Sequence, residues 1–148
     1  MIRPVRLAVR GIILHDNRLL MVNAWPGRSD LLCAPGGGAD PHQSLPDNLS
    51  REIHEETGLV IAVGDPCLVN EFHDPEGDHH QVDIYFRCTI RSGELRDDWV
   101  DPEGVVTDRH WLTREELATR RFKPDSLPAV AWRDPDAPRY DPLEPILR

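Results

Sequence analysis

The chain has 148 residues and a formal net charge of −9 at pH 7, which fits one acidic domain with a core of its own. The charge argues against non-specific nucleic-acid binding, and no apolar run reaches the roughly 18 residues that a membrane span needs. The three cysteines are scattered and the N-terminus lacks a signal-peptide pattern, so we expect reduced thiols and a cytoplasmic protein.

Three strands are predicted before the first helix. Residues 5–14 and 19–25 are rich in Val, Ile and Leu, and the turn signal at 15–17 joins them into a hairpin. A loop over 25–30 then leads to a short strand at 31–34. Pro35 and the three glycines after it are expected to form no regular structure, and such a backbone can approach a ligand closely.

One short helix has the most informative pattern. Ser44 is a good N-cap and Gly58 suits the left-handed position after the last turn, so the helix is predicted between them. On a helical wheel, Glu56 falls inside the apolar stripe, and Glu52 and Glu55 fall at its edge. Three such carboxylates repel each other unless a cation joins them, and a hard divalent cation such as Mg²⁺ or Mn²⁺ is their natural partner.

The rest of the chain alternates strands with polar turns and ends in a proline-rich tail. The predicted elements are strands at 59–63, 67–72, 81–90 and 105–112 and short helices at 114–119 and 127–132, with a break at 64–66. Strands on both sides of a central helix predict an α/β fold with a mixed sheet between helices. We expect 1–132 to form one domain and the tail, 133–148, to pack on it or on a second subunit of a homodimer.

The segment from Gly37 to Leu59 resembles the Nudix box, whose pattern is G-x5-E-x7-R-E-U-x-E-E-x-G-U with U a bulky aliphatic residue. The spacing matches throughout, and the one defining position that differs is Gln43, where the pattern has glutamate. The resemblance implies an α/β/α sandwich. It also implies a hydrolase that cleaves a phosphoanhydride bond in a nucleoside diphosphate linked to a moiety X, through water activated by Mg²⁺ or Mn²⁺.

The resemblance further implies a role for the matching residues. Glu52, Glu55 and Glu56 would coordinate the metal, with the backbone carbonyl of Gly36 as another ligand. In some members the residue matching Glu52 is the general base, so its role stays open. Arg51 would pair with the acids of the box and orient them.

Some members take one more metal-binding acid from a later loop. Glu103 is the candidate here, because it precedes Trp111 at a similar distance. Three other acids are alternatives: Asp83, Glu94 and Asp98.

Three residues outside the box are candidates for binding a small nucleotide substrate. Trp25 could stack on a nucleobase, and Arg28 could hold a terminal phosphate. His73, or His80, could touch the substrate at the rim of the site. The plainer alternatives are a packing tryptophan, a solvated loop arginine, and a polar hairpin turn over 73–80 that binds no transition metal.

Two departures from the family pattern keep a second function open. Gln43 keeps the hydrogen-bonding shape of glutamate but removes its charge, and His42 stands where many members have glycine. We expect retained metal binding with altered catalysis, and the alternative is a catalytically impaired nucleotide-binding or regulatory protein. A third hypothesis, an interaction module held by the tail, rests on composition alone.

Overall fold

Nine strands and three short helices make up the described parts of the chain, residues 3–133 and 137–148, in a computed structural model. In chain order the elements are β1 (Arg6–His15), β2 (Arg18–Trp25), β3 (Arg28–Cys33), β4 (Gly36–Gly38), α1 (Leu45–Thr57), β5 (Val60–Asp74), β6 (His79–Ser92), β7 (Arg109–Leu112), α2 (Arg114–Leu117), α3 (Leu127–Ala131), β8 (Arg139–Tyr140) and β9 (Glu144–Pro145). None of these helices is long and apolar enough to cross a membrane.

The strands form one mixed sheet in the order β3-β2-β1-β6-β5-β8, and β4 pairs with β1, β7 with β2 and β9 with β5. The central pair, β1 and β6, is parallel and runs from Arg6 opposite Gln81 to Ile13 opposite Cys88. Parallel neighbours need a long connection between them, and α1 lies within it. The predicted α/β class with a mixed central sheet is confirmed.

Apolar side chains cover both faces of the sheet. The fully buried Leu49 and Ile53 of α1 pack on one face. Leu117 of α2 and Leu127 of α3 are also fully buried and pack on the other. Since both faces are covered, β1 has consecutive buried residues instead of an alternating pattern.

The ends of α1 lie where the sequence predicts them. The Ser44 hydroxyl accepts a hydrogen bond from the Asp47 backbone N–H at 3.1 Å, and Gly58 ends the helix with a left-handed φ of 78°. Glu56 is buried in the core-facing stripe, as the helical wheel predicts. Local sequence therefore fixes the rigid element that bears the acids.

The glycine segment was expected to be irregular, and that expectation is wrong. Gly36–Gly38 forms β4, antiparallel to β1, with Gly36 opposite Arg10. The strands approach so closely that a Cβ on Gly36 would lie 2.0 Å from the Val9 carbonyl oxygen. A backbone without side chains is what allows this pairing.

Three other predicted boundaries are corrected. The break at 64–66 is a bulge, since β5 continues through it with register shifts around Pro66. β3 already begins at Arg28, inside the predicted loop, and pairs there with Trp25. The strand predicted at 105–112 shortens to β7, because the Asp101 carboxylate accepts the backbone N–H groups that residues 105 and 106 would need for pairing.

The tail lies along one edge of β5. β8 and β9 both pair with β5 in parallel, and the Ile146 N–H donates to the His73 carbonyl at 2.9 Å. Asn70 and Ser126 both donate to the Asp141 carboxylate, at 3.1 and 2.6 Å. Residues 134–136 of the predicted tail lie outside the described residues, and the division of the chain at 132/133 stays a prediction.

Candidate functional site

Three carboxylates meet beside the C-terminal half of α1. Oxygens of Glu52, Glu55 and Glu103 all lie within 4.8 Å of one another. The first two are neighbours on α1, whereas the third comes from the loop that follows β6. Of the four later acids that the sequence offered, Glu103 is thus the one brought to the box.

The alternatives to Glu103 lie elsewhere. Asp83 is buried on β6, where it accepts a 2.6 Å hydrogen bond from Gln81 and lies 3.6 Å from Arg10. Asp98 pairs with Arg96 at 2.7 Å on the surface. Glu94 is exposed and is not part of the carboxylate cluster.

The Glu103 loop is held by two buried polar side chains that sequence reasoning missed. The carboxylate of Asp101 accepts the backbone N–H groups of Glu103, Val105 and Val106 at 2.9–3.2 Å. Asn23 of β2 donates to the Val105 carbonyl at 2.8 Å. The Asp-Pro-Glu-Gly run at 101–104 is a turn signal that could have drawn attention to Asp101.

Glu56 lies outside the cluster of three carboxylates. It is 8% exposed, and its Oε2 accepts a 3.1 Å hydrogen bond from the Gly36 backbone N–H. Burial raises the pKa of Glu56 to about 8, against the opposing effects of Arg10 and of the Gly36 N–H. Burial also raises the pKa of Glu52, against the opposing charge of Arg51.

Arg51 contacts two acids of the helix. Its guanidinium lies 3.2 Å from a Glu52 oxygen and 3.5 Å from a Glu55 oxygen. On its other side it pairs with Asp40 at 3.1 Å, and its Nε donates to the Gln43 side-chain oxygen at 3.4 Å. Asp40 therefore supplies a negative charge next to the neutral Gln43.

Hydrogen bonds to α1 hold the loop that contains Asp40 and Gln43. Asn48, fully buried, accepts from the Asp40 N–H at 2.8 Å and donates to the Gln43 carbonyl at 3.0 Å. His42 has a φ of 68°, the left-handed geometry that histidine tolerates better than most residues.

Arg10 of β1 is a further residue that sequence reasoning missed. It donates to the Ala34 carbonyl at 3.3 Å and lies 3.6 Å from the Asp83 carboxylate. Burial alone would lower the pKa of Arg10, but the nearby negative charges, Asp83 foremost, raise it overall. The guanidinium thus stays charged. An isolated arginine in a strand of mixed polarity gave no signal that its side chain would be only 18% exposed.

Two adjoining cavities lie over these residues. An acidic cleft of about 510 Å³ is lined by β4 and by Glu52, Glu56 and Glu103. A second cavity of about 390 Å³ extends from it towards the tail. Five residues line both: Arg6, Arg10, Ala24, Trp25 and Cys33. The clustered carboxylate oxygens of the cleft are the hard donors that Mg²⁺ and Mn²⁺ prefer, so the residues fit such an ion.

The three residues predicted to bind substrate differ in whether they line the cavities. Trp25 lines both cavities, but the guanidinium of Arg148 covers its ring at 5.5 Å from the centroid. Arg28 lines neither cavity and pairs with Asp30 at 2.8 Å. His73 lies on β5 beside the second cavity without lining it. Their roles in substrate binding stay predictions.

A sequence model of the NUDIX domain matches residues 4–133. This range includes every acid of the cluster and ends before β8 and β9. The match covers most of the chain and leaves residues 1–3 and 134–148 outside it.

Curated relatives match over shorter ranges. An ADP-ribose pyrophosphatase from Methanocaldococcus jannaschii is 32% identical over 96 residues, which are 61% of this chain and 54% of that protein. The mouse protein nucleoside diphosphate-linked moiety X motif 6 is 22% identical over 114 residues, 70% of this chain and 34% of that protein. The chain spans about half, or less, of the length of these relatives.

Solved structures show the same fold. A UDP-X diphosphatase superposes with a TM-score of 0.70 at 19% identity, over 88% of this chain and 62% of that chain. An ADP-ribose pyrophosphatase from Streptococcus suis superposes with a TM-score of 0.63 at 19% identity, over 93% and 100%.

Proposed function

The chain belongs to the Nudix family, and from this premise we propose that it is a divalent-metal-dependent pyrophosphohydrolase. Its substrate would be a nucleoside diphosphate linked to a moiety X, cleaved by water at the phosphoanhydride bond. The proposal rests on one observation, the cluster of Glu52, Glu55 and Glu103, of which Glu52 and Glu103 line a cleft of about 510 Å³.

Residues of α1 and its neighbouring loop would hold the ion. Glu52, Glu55 and Glu103 are the proposed ligands, with Glu56 and the Gly36 carbonyl as further candidates. A bound Mg²⁺ or Mn²⁺ would neutralise charge on the phosphate oxygens and lower the pKa of a water molecule. Magnesium is our first choice and manganese the second.

The chain's own side chains would position that chemistry. Arg51 fixes the carboxylates of Glu52 and Glu55, so they need not reorganise when substrate binds. Glu52 and Glu56 both line the cleft and are the candidates to accept the proton of the attacking water. Arg10 lines the cleft together with these acids and would attract the non-reacting phosphate oxygens.

A substrate screen tests this function and addresses the identity of X. ADP-ribose, nucleotide sugars, dinucleoside polyphosphates and nucleoside triphosphates would be offered with Mg²⁺ or Mn²⁺, and released nucleoside monophosphate or phosphate measured. Activity should disappear in EDTA and return when the ion is restored. A protein that binds nucleotides but hydrolyses none of these compounds would instead support the catalytically impaired alternative.

That alternative rests on Gln43 and His42, and the contacts around Gln43 support the enzyme instead. Arg51 contacts a carboxylate of the same loop, Asp40, at 3.1 Å. Asp40 thus provides the charge that a glutamate at position 43 would provide, and Arg51 still reaches Glu52 and Glu55. We therefore favour the enzyme over the binding protein.

Moving the negative charge from Asp40 to position 43 gives a specific prediction. Asp40→Asn should lower kcat about 10-fold, because loss of a residue that orients metal ligands commonly costs 10–100-fold. Gln43→Glu alone should not lower kcat, and Asp40→Asn combined with Gln43→Glu should recover most of the loss. Steady-state kinetics and Mn²⁺ affinity of the four proteins would check it. An unaltered kcat in Asp40→Asn, or no recovery in the double variant, would contradict the assignment.

The cytoplasmic location, the lack of a nucleic-acid partner and a homodimer stay predictions. Mass measurement in solution, with and without residues from 133 onward, would test the dimer.

A further inference from the structure

The cavity beside the acidic cleft is unusually basic for this chain. Within residues 3–133 and 137–148, its lining includes five cationic side chains and only two acidic ones, in a chain of net charge −9. The acidic pair is Asp83 and Glu144. The cationic side chains are Arg3, Arg6, Arg10, Lys123 and Arg148. We call this space the basic cavity.

Internal ion pairs neutralise only part of this charge. Lys123 lies 3.5 Å from Glu144, and Arg148 lies 2.8 Å from Asp74. Arg6 donates to a neutral acceptor, the Gln81 side-chain oxygen, at 2.8 Å. In the parts of the chain that the structure describes, Arg6 forms no ion pair, so its charge is open to a ligand.

Arg6 also lies where it can reach both spaces. It lines the acidic cleft and the basic cavity. Its guanidinium lies against β4, where a Cβ on Gly38 would be 2.7 Å from an Arg6 nitrogen. A substrate whose pyrophosphate occupies the cleft would therefore pass Arg6 as it enters the basic cavity.

Trp25 also lines the basic cavity. Its indole N–H is buried and has no hydrogen-bond partner among the described residues. With Arg148 over its ring, Trp25 is also less suited to stack on a base.

The tail builds one wall of this cavity. Residues 144–148 all line it. They are held by the Ile146 N–H, which donates to the His73 carbonyl of β5, and by the Arg148 carbonyl, which accepts from Arg121 at 2.9 Å. These residues lie outside the range that the NUDIX model matches. The shape and charge of the cavity are thus features of this chain beyond the matched domain.

We propose that the basic cavity binds a second anionic group of the substrate, a phosphate or a carboxylate, with Arg6 as its main contact. The preferred substrates would then be nucleoside diphosphate derivatives that carry a negative charge apart from the scissile pyrophosphate. This inference rests on the proposed function for the placement of the pyrophosphate. In this proposal Arg6 determines which substrates are preferred. The roles proposed above for the acids of α1 do not change.

Binding of matched ligand pairs tests the proposal without turnover. Calorimetry in EDTA would compare NADPH with NADH, which differ by one phosphate, and UDP-glucuronate with UDP-glucose, which differ by one carboxylate. We expect the charged member to bind at least about 10-fold more tightly, as a charge-assisted hydrogen bond allows. Arg6→Gln should remove most of that preference, whereas Arg114→Gln, an exposed arginine that lines neither cavity, should preserve it.

The outcomes separate this proposal from the proposed function. A preference in one pair alone would support it and identify the group as phosphate or carboxylate. Equal affinity within both pairs, or a preference unchanged in Arg6→Gln, would overturn the basic cavity while hydrolysis in the screen still supported the enzyme. No binding of any of the four compounds would overturn the basic cavity alone, because EDTA removes the ion that the proposed function needs and the screen with Mg²⁺ tests that function separately.

Discussion

Replacing Glu52 by Gln is expected to lower kcat by at least about 100-fold and to weaken Mn²⁺ binding, because it removes a charge at the centre of the site. Glu52 is 7% exposed, lies within the carboxylate cluster and pairs with Arg51 at 3.2 Å. Gln has the same size, so the change should leave packing intact. Steady-state kinetics and Mn²⁺ titration would measure both effects.

The matched control is Glu115→Gln. Glu115 is exposed in the first turn of α2 and belongs to no carboxylate cluster in the described residues. It should retain wild-type turnover and Mn²⁺ affinity. Wild-type turnover in Glu52→Gln would remove the metal-site hypothesis, whereas lost turnover with intact Mn²⁺ affinity would favour Glu52 as the base over Glu52 as a ligand.

Replacing Gly36 by Ala is expected to have the largest effect on folding. The new Cβ would lie 2.0 Å from the Val9 carbonyl oxygen, and the φ of 151° is one that side chains rarely adopt. Strain and overpacking together should cost about 3 kcal/mol, or about 6–12 °C in Tm. Activity should fall as well, because the displaced strand carries the N–H that Glu56 accepts from.

The variant Gly27→Ala separates the steric clash of a new Cβ from the cost of placing a side chain at a positive φ. Gly27 also has a positive φ, of 70°, but a Cβ there meets no atom within 4 Å. We expect that variant to lose only about 1 kcal/mol. Thermal melts that place Gly36→Ala within about 2 °C of Gly27→Ala would refute the close pairing of β4 with β1.

The acid-bearing helix is the part of the site that sequence reasoning predicted well. The cap at Ser44, the stop at Gly58 and the buried position of Glu56 follow from local rules of helix geometry and capping. The glycines beside it were misread, because their conformation is set by pairing with β1, where Arg10 lies opposite Gly36 and Ala8 opposite Gly38. The strand at 105–112 was overextended for a similar reason, since Asp101 competes for its backbone donors.

The sequence by itself thus determined the helix, its three acids and the family resemblance, since spacing along one helix fixes which side chains share a face. The tertiary structure alone decided that Glu103 joins Glu52 and Glu55, and that Asp40 stands beside Gln43 against Arg51. It also determined how the basic cavity is formed. There the parallel register of β1 with β6 sets Arg6 opposite Gln81, and the tail forms one wall. Sheet register and loop placement depend on contacts between residues far apart in the chain, which no local periodicity records.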